Sequence, residues 1–221
     1  EGRALPPALL ELILQRAEGV PFYVEEMTRA LLESDRVRVT SERIELPGGF
    51  ARDLIPATVQ DSLMARLDRL GPGRSLAQLA ATVGSEFGFD LLRDLGLFDE
   101  DSLRRELSRL IDANILSRSE AALGGYTFRH ALVRDTAYQS LSLRTRQRYH
   151  ALILRTLIDR QPDLEARQPE LLAQHELGAG LIGEAIEHWQ QAGGSTAARS
   201  AFLESAAHYR KALEQLGALP P

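Results

Sequence analysis

The stretch DEDSLRRELSRLIDANILSRSEAALGGYTFRHALVRDTAY, residues 99–138, decides the fold. Its first part reads as a helix over 99–113. Leu103, Leu107, Leu110 and Ile111 recur on one face, and Asp99, Glu100 and Asp101 occupy the first turn, where the helix dipole favours acids. Residues 115–119 and 126–128 flank a segment ending in two glycines, 120–125, and read as a hairpin. Upstream, Ile55-Pro56 opens a helix with Val59, Leu63, Leu67 and Leu70 on one side, and Gly71-Pro72-Gly73 breaks it. Residues 76–83 (LAQLAATV) are small and apolar, and a short helix surrounds 89–95. Three helices followed by a hairpin is the order of a winged helix-turn-helix, here placed over residues 51–140.

On the N-terminal side, over residues 1–50, Pro6-Pro7 open a helix at the position proline favours, Leu9, Leu10, Ile13 and Leu14 repeat at helical spacing, and Gly19 ends it. Pro21 starts a second helix through Phe22, Val24, Met27, Leu31 and Leu32. Residues 36–40 and 43–46 alternate apolar and charged side chains across Ser41-Glu42, a short hairpin, and Pro47-Gly48-Gly49 follows as a loop. On the C-terminal side, helices are expected over 131–141, 145–160, 169–178, 183–193 and 197–216, separated by Gly or Pro, as in a repeat array. One tetratricopeptide-like frame fits from Trp189: Gly193 follows four positions on, Ser205 takes a small-residue slot, and Tyr209 and Ala212 supply the aromatic and the small residue of the second helix. Thr196 replaces an aromatic in that frame, and Gly217 stands where proline is usual. Residues 141–221 are therefore read as the start of a helical superhelix, and the whole chain as mainly α.

Composition narrows the classes. A chain of 221 residues with 44% hydrophobic and 26% charged side chains can form a packed core. It has no cysteine, which excludes disulfides and thiolate metal sites and fits a cytoplasmic setting. Residues 8–14 are too few to span a bilayer and include Glu11, so no membrane partner is expected. The net charge of -5 exerts no general pull on nucleic acid or anionic membrane. The chain begins with Glu1 rather than Met and reads as a piece of a longer protein.

No motif for autonomous catalysis is present. A phosphate-cradling G-x-x-x-x-G-K-[S/T] loop needs a lysine, and the single lysine, Lys211, lies in the last helix. G-x-S-x-G and H-E-x-x-H are absent, and no histidines pair at metal-ligand spacing. No catalytic residue, no metal site and no cofactor of the chain's own is expected.

Two segments invite a binding role. In Gly19-Val20-Pro21-Phe22-Tyr23-Val24-Glu25-Glu26, Gly19 permits a tight turn and Pro21 fixes the chain's direction into the next helix; a proline ring there can lie flat on an adenine, or the segment is a plain helical corner. In the segment FRHALVRDTAY, residues 128–138, His130 stands where a strand gives way to a helix. Its imidazole can approach a phosphate beside free backbone N–H groups, or it caps and packs a domain corner. Arg129, Arg134, Arg144, Arg146 and Arg148 form either a basic site or a solvated face. The helix over 99–113 sets Arg104, Arg105 and Arg109 against Asp99, Glu100, Asp101, Glu106 and Asp112, an acidic balance that opposes DNA reading.

The two segments in this order resemble the STAND class of signal-transduction ATPases, and more narrowly the large bacterial regulators that join such an ATPase to cyclase or LuxR-type output domains. That family carries G-N-P-F-Y-V-E-E in its ATPase lid, then a winged helix, then F-x-H-x-L-V-R-D-x-x-Y, then tetratricopeptide-like repeats. Gly19, Pro21, Phe22, Tyr23, Glu25 and Glu26 match the first motif, with Val20 replacing the asparagine; Phe128, His130, Leu132, Val133, Arg134, Asp135 and Tyr138 match the second. The resemblance implies that Pro21 lines the adenine pocket of an ADP-bound closed state. It also implies that His130 corresponds to the phosphate-sensing histidine of an M-H-D motif, although Arg129 and Ala131 flank it here. The lysine and magnesium ligands for ADP or ATP would come from an upstream P-loop domain, and a protein or small-molecule inducer would act on the helical repeats. Two other readings stand beside this one: a repeat scaffold for protein–protein interaction and a DNA-binding winged-helix regulator.

Overall fold

The structure, a computed structural model, describes residues 5–17, 19–32, 38, 39, 44, 45, 58–119 and 124–218. It is mainly helical, with one small three-stranded antiparallel sheet and a separate two-stranded ribbon. The chain divides into two compact units, Glu1–Arg74 and Ser75–Pro221, a division that falls inside the 51–140 segment.

The first unit holds α1 (Pro7–Ala17), α2 (Pro21–Leu32), the ribbon strands β1 (Arg38–Val39) and β2 (Ile44–Glu45), and α3 (Val59–Arg69). Its core follows the helical periodicity: Leu9, Ile13 and Ala17 of α1, Met27 and Leu31 of α2, and Leu63 and Leu67 of α3 are buried. The ribbon has the expected antiparallel register, Arg38 opposite Glu45 and Val39 opposite Ile44, and its turn lies outside the described residues. Thr58 caps α3 reciprocally with Asp61, its hydroxyl accepting from the Asp61 N–H at 3.1 Å while the carboxylate accepts from the Thr58 N–H at 3.2 Å. The start expected at Ile55-Pro56 lies outside the described residues.

In the second unit a sheet collects the short helices. After α4 (Pro72–Val83), which straddles the division between units, come β3 (Glu86–Gly88), α5 (Phe89–Asp94), α6 (Glu100–Asp112), β4 (Leu116–Arg118), β5 (Gly125–Phe128) and α7 (Ala131–Gln139). The hairpin of β4 and β5 is as the sequence suggested, but the sheet order is β3-β5-β4. Strand β3 was not expected, because Ser85-Glu86-Phe87-Gly88 is too short for alternation to show. Its place is set by Phe87, which pairs with Tyr126 and meets Phe128 edge-on at 6.0 Å. α6 buries Leu103, Leu107 and Leu110. It ends at Asp112 with Ala113 as its C-cap, and Asn114 beyond it, with a φ of 54°, lets the Ile115 N–H reach back to the Leu110 carbonyl at 2.9 Å.

The remaining helices are α8 (Leu143–Arg160), the short α9 (Leu164–Arg167), α10 (Pro169–Ala179), α11 (Ile182–Ala198) and α12 (Phe202–Ala218). α10 packs on α8, α11 on α10, and α12 on α11. The break expected after residue 193 is corrected: α11 runs through Gly193 and stops at Arg199-Ser200. Gly193 serves packing rather than termination, since a Cβ there would sit 2.9 Å from the Tyr209 ring. Trp189, Ala192, Gly193 and Thr196 of α11 and Ser205 and Ala212 of α12 are buried, and the Ser205 hydroxyl donates to the Gly193 carbonyl at 2.8 Å. Among the described residues no helix is long and apolar enough to cross a membrane.

Candidate functional site

In the first unit the chain leaves α1 through a turn at Gly19, whose φ is +78°, closed by the Val20 N–H donating to the Ala17 carbonyl at 2.8 Å. Pro21 is then the first residue of α2 and is exposed. Proline is tolerated there because a first-turn N–H has no intrahelical partner to lose. Phe22 and Tyr23 are half-buried, with ring centroids 6.2 Å apart. Glu25 is exposed, whereas Glu26 is buried and accepts from the Arg66 guanidinium at 2.6 Å through both carboxylate oxygens. The second acid of the motif is thus a clamp holding α2 on α3. Arg66 carried no signal in the sequence, because it lies forty residues away on another helix.

In the second unit, strand pairing holds the corner before α7. The Phe128 N–H donates to Ser85 at 3.1 Å and the Arg129 N–H to Ile115 at 3.1 Å. His130 follows as the N-cap residue of α7, with extended backbone and no side-chain bond to the helix N–H groups. Its carbonyl accepts from the Val133 N–H at 3.1 Å, and its side chain is half-buried. Phe128, Val133 and Ala137 are core residues, and Arg134 pairs with Asp135 at 2.7 Å. Pro21 and His130 therefore stand in different units, each at the entrance to a helix.

The last residue of the second motif leads to a cluster that sequence reasoning missed. The Tyr138 hydroxyl lies 2.9 Å from His150 Nε2, and His150 Nδ1 lies 3.0 Å from His175 Nδ1. Both imidazoles are buried, and the His150 ring lies so close to Gly178 that a Cβ there would be 2.4 Å from it. Burial, with the Arg146 guanidinium second, lowers His150 to about 4; burial, with His150 second, lowers His175 to about 4. The rings are therefore neutral near pH 7, and a proton on one nitrogen of each suffices for the chain of bonds. Nearby, burial raises the Glu176 carboxyl although its bond to His188 at 2.7 Å opposes the shift. A signal did exist, since residues 138, 150 and 175 fall on expected helices; their shared face depends on tertiary packing.

The candidate basic site dissolves into separate contacts. Arg146 lies 4.5 Å from the centre of the Tyr138 ring, Arg148 5.7 Å from that of Tyr149, and Arg129 donates to Asn114 at 2.7 Å. Lys211 is also engaged, its Nζ 4.2 Å over the Trp189 ring. Among the described residues no group of three His, Asp or Glu side chains could hold a metal ion.

The chain is 28% identical over 220 residues to an uncharacterized protein of Rhizobium meliloti (strain 1021), an alignment covering 97% of this chain and 20% of that protein. It thus spans about a fifth of that relative's length. No family model matches the chain, and no solved structure matches it.

Proposed function

We propose that this chain is a non-catalytic regulatory segment of a STAND-type signalling ATPase: lid over 1–50, winged helix over 51–140 and the start of a tetratricopeptide-like superhelix over 141–221. The observation that carries the reading is His130 standing at the junction of β5 and α7, where a phosphate-sensing side chain of such a switch is needed. Supporting it, Pro21 is exposed at the head of α2, while Glu26, Phe128, Val133 and Tyr138 of the same motifs are engaged in packing and bonding. The β4–β5 hairpin after α6 suits a wing, and the Trp189–Gly193–Ser205–Tyr209–Ala212 frame suits a repeat pair.

In this reading the lid and winged helix close on an upstream P-loop domain when ADP is bound and release it when ATP replaces it. Pro21 contributes apolar contact to adenine and His130 a hydrogen bond to the β-phosphate. The P-loop domain supplies the lysine and the magnesium ligands. The helical repeats receive a protein or small-molecule inducer, and a cyclase or LuxR-type domain gives the output, in the cytoplasm. Such a switch works only if these contacts differ between the two states.

The test is a comparison of phosphate release and ADP titration calorimetry for the chain alone and for the chain joined to its P-loop domain. The joined protein should hydrolyse ATP and retain ADP; the chain alone should do neither. Saturable ADP binding by the chain alone, tighter than about 1 μM, contradicts the assignment.

A further inference from the structure

We propose that a hollow in the second unit, framed by the start of α5, the sheet and the end of α8, binds a small organic phosphate. This inference is independent of the nucleotide-switch reading. The hollow has a volume of about 490 Å³, the size of pockets that take small metabolites. Three arginines line it from three elements: Arg104 of α6, Arg118 of β4 and Arg160 of α8. Among the described lining residues the one carboxylate is Asp90, which Arg93 holds at 2.9 Å. The described lining thus carries three guanidiniums and one carboxylate.

The guanidiniums are braced as well as gathered. The Arg104 Cζ lies 4.4 Å from the Phe89 ring centre and the Arg118 Cζ 5.8 Å from that of Tyr126, so the aromatic faces help set the guanidinium planes. Arg104 shares Glu100 at 2.6 Å and Arg160 shares Asp94 at 2.9 Å, each using part of a five-donor fork. Arg118 has no carboxylate partner among the described residues and is exposed. A carboxylate is satisfied by one fork. Three forks around one hollow suit a tetrahedral dianion with three terminal oxygens, and Leu157 and Phe89 in the lining offer apolar contact to the carbon skeleton it carries.

The probes are glucose 6-phosphate and glycerol 3-phosphate, which lack adenine, with citrate and glucose as controls, titrated calorimetrically into the 221-residue chain at about 0.1 M salt. The expected result is binding of a phosphate probe with a Kd on the order of 0.1–1 mM, weakened at least about fivefold by Arg118→Gln. Arg118→Gln should leave the ligand-free melting temperature unchanged. Arg155→Gln, an exposed α8 residue outside the hollow, should bind as the parent chain does. Absence of binding by both phosphates, equal binding by Arg118→Gln, or citrate binding as tightly as the phosphates overturns the proposal.

Discussion

At the scale of residues, the account turns on groups whose protonation or charge the fold controls. Glu26 and Arg66 are both buried and meet at 2.6 Å. Such a pair need not stabilise the protein against an apolar replacement, but removing one partner leaves an uncompensated buried charge. Arg66→Met should therefore destabilise the first unit by about 3–5 kcal/mol, and adding Glu26→Leu should recover much of that loss. Denaturant titration of the single and double variants checks this; a double variant no better than Arg66→Met contradicts the pairing. His150 and His175 give a pH signature. Their folded values of about 4 lie below the ordinary 6.5, so the unfolded chain binds more protons between those limits. Their contribution to stability is complete above about pH 6.5 and is lost as pH falls towards 4. Melting temperature should fall across that window, and His150→Phe with His175→Leu should flatten the fall. The places of Pro21 and His130 in the fold were legible because each stands where a helix begins, and Pro or a strand-to-helix junction marks such a place locally. Arg66, His150 and His175 were not, because their roles arise from partners 40, 12 and 25 residues away.

At the scale of elements, α6 shows how an arginine-bearing surface helix can be chemically unsuited to a duplex. Of its exposed arginines, Arg109 pairs with Glu106 at 3.0 Å and Arg105 bonds the Ser102 hydroxyl at 2.8 Å on the helix's own surface, while Arg104, shared with Glu100, stacks on Phe89 at the hollow. Phosphate contacts supply most non-specific DNA affinity, and paired, acid-flanked arginines offer few. The chain should show no salt-steep binding in an anisotropy titration with duplex DNA. Tight binding to a defined site that weakens about a thousandfold between 50 and 200 mM salt contradicts this. Helix and strand identity was readable wherever apolar spacing was long enough, as in α2, α6 and the β4–β5 hairpin. It failed at β3, three residues long, and at the end of α11, where Gly193 looked like punctuation but is the floor under Tyr209.

At the scale of the whole molecule, the helices from α8 to α12 and the corner at His130 belong to one compact unit. Tyr138 belongs to the same helix as the corner and bonds to His150 of α8, which in turn meets His175 of α10. The switch proposal makes His130 the residue through which nucleotide state is felt. Losing one hydrogen bond to a phosphate is worth about 1–3 kcal/mol, a five- to hundredfold change in a two-state balance. Pro21→Ala should act in the same direction and more weakly. The most direct measurement is the ADP dissociation rate of the protein carrying both the P-loop domain and this chain, for wild type and His130→Ala, paired with the nucleotide-free melting temperature. The account predicts roughly five- to hundredfold faster ADP release with the melting temperature unchanged. An unchanged release rate with a lower melting temperature contradicts it and leaves His130 as a corner residue of the fold.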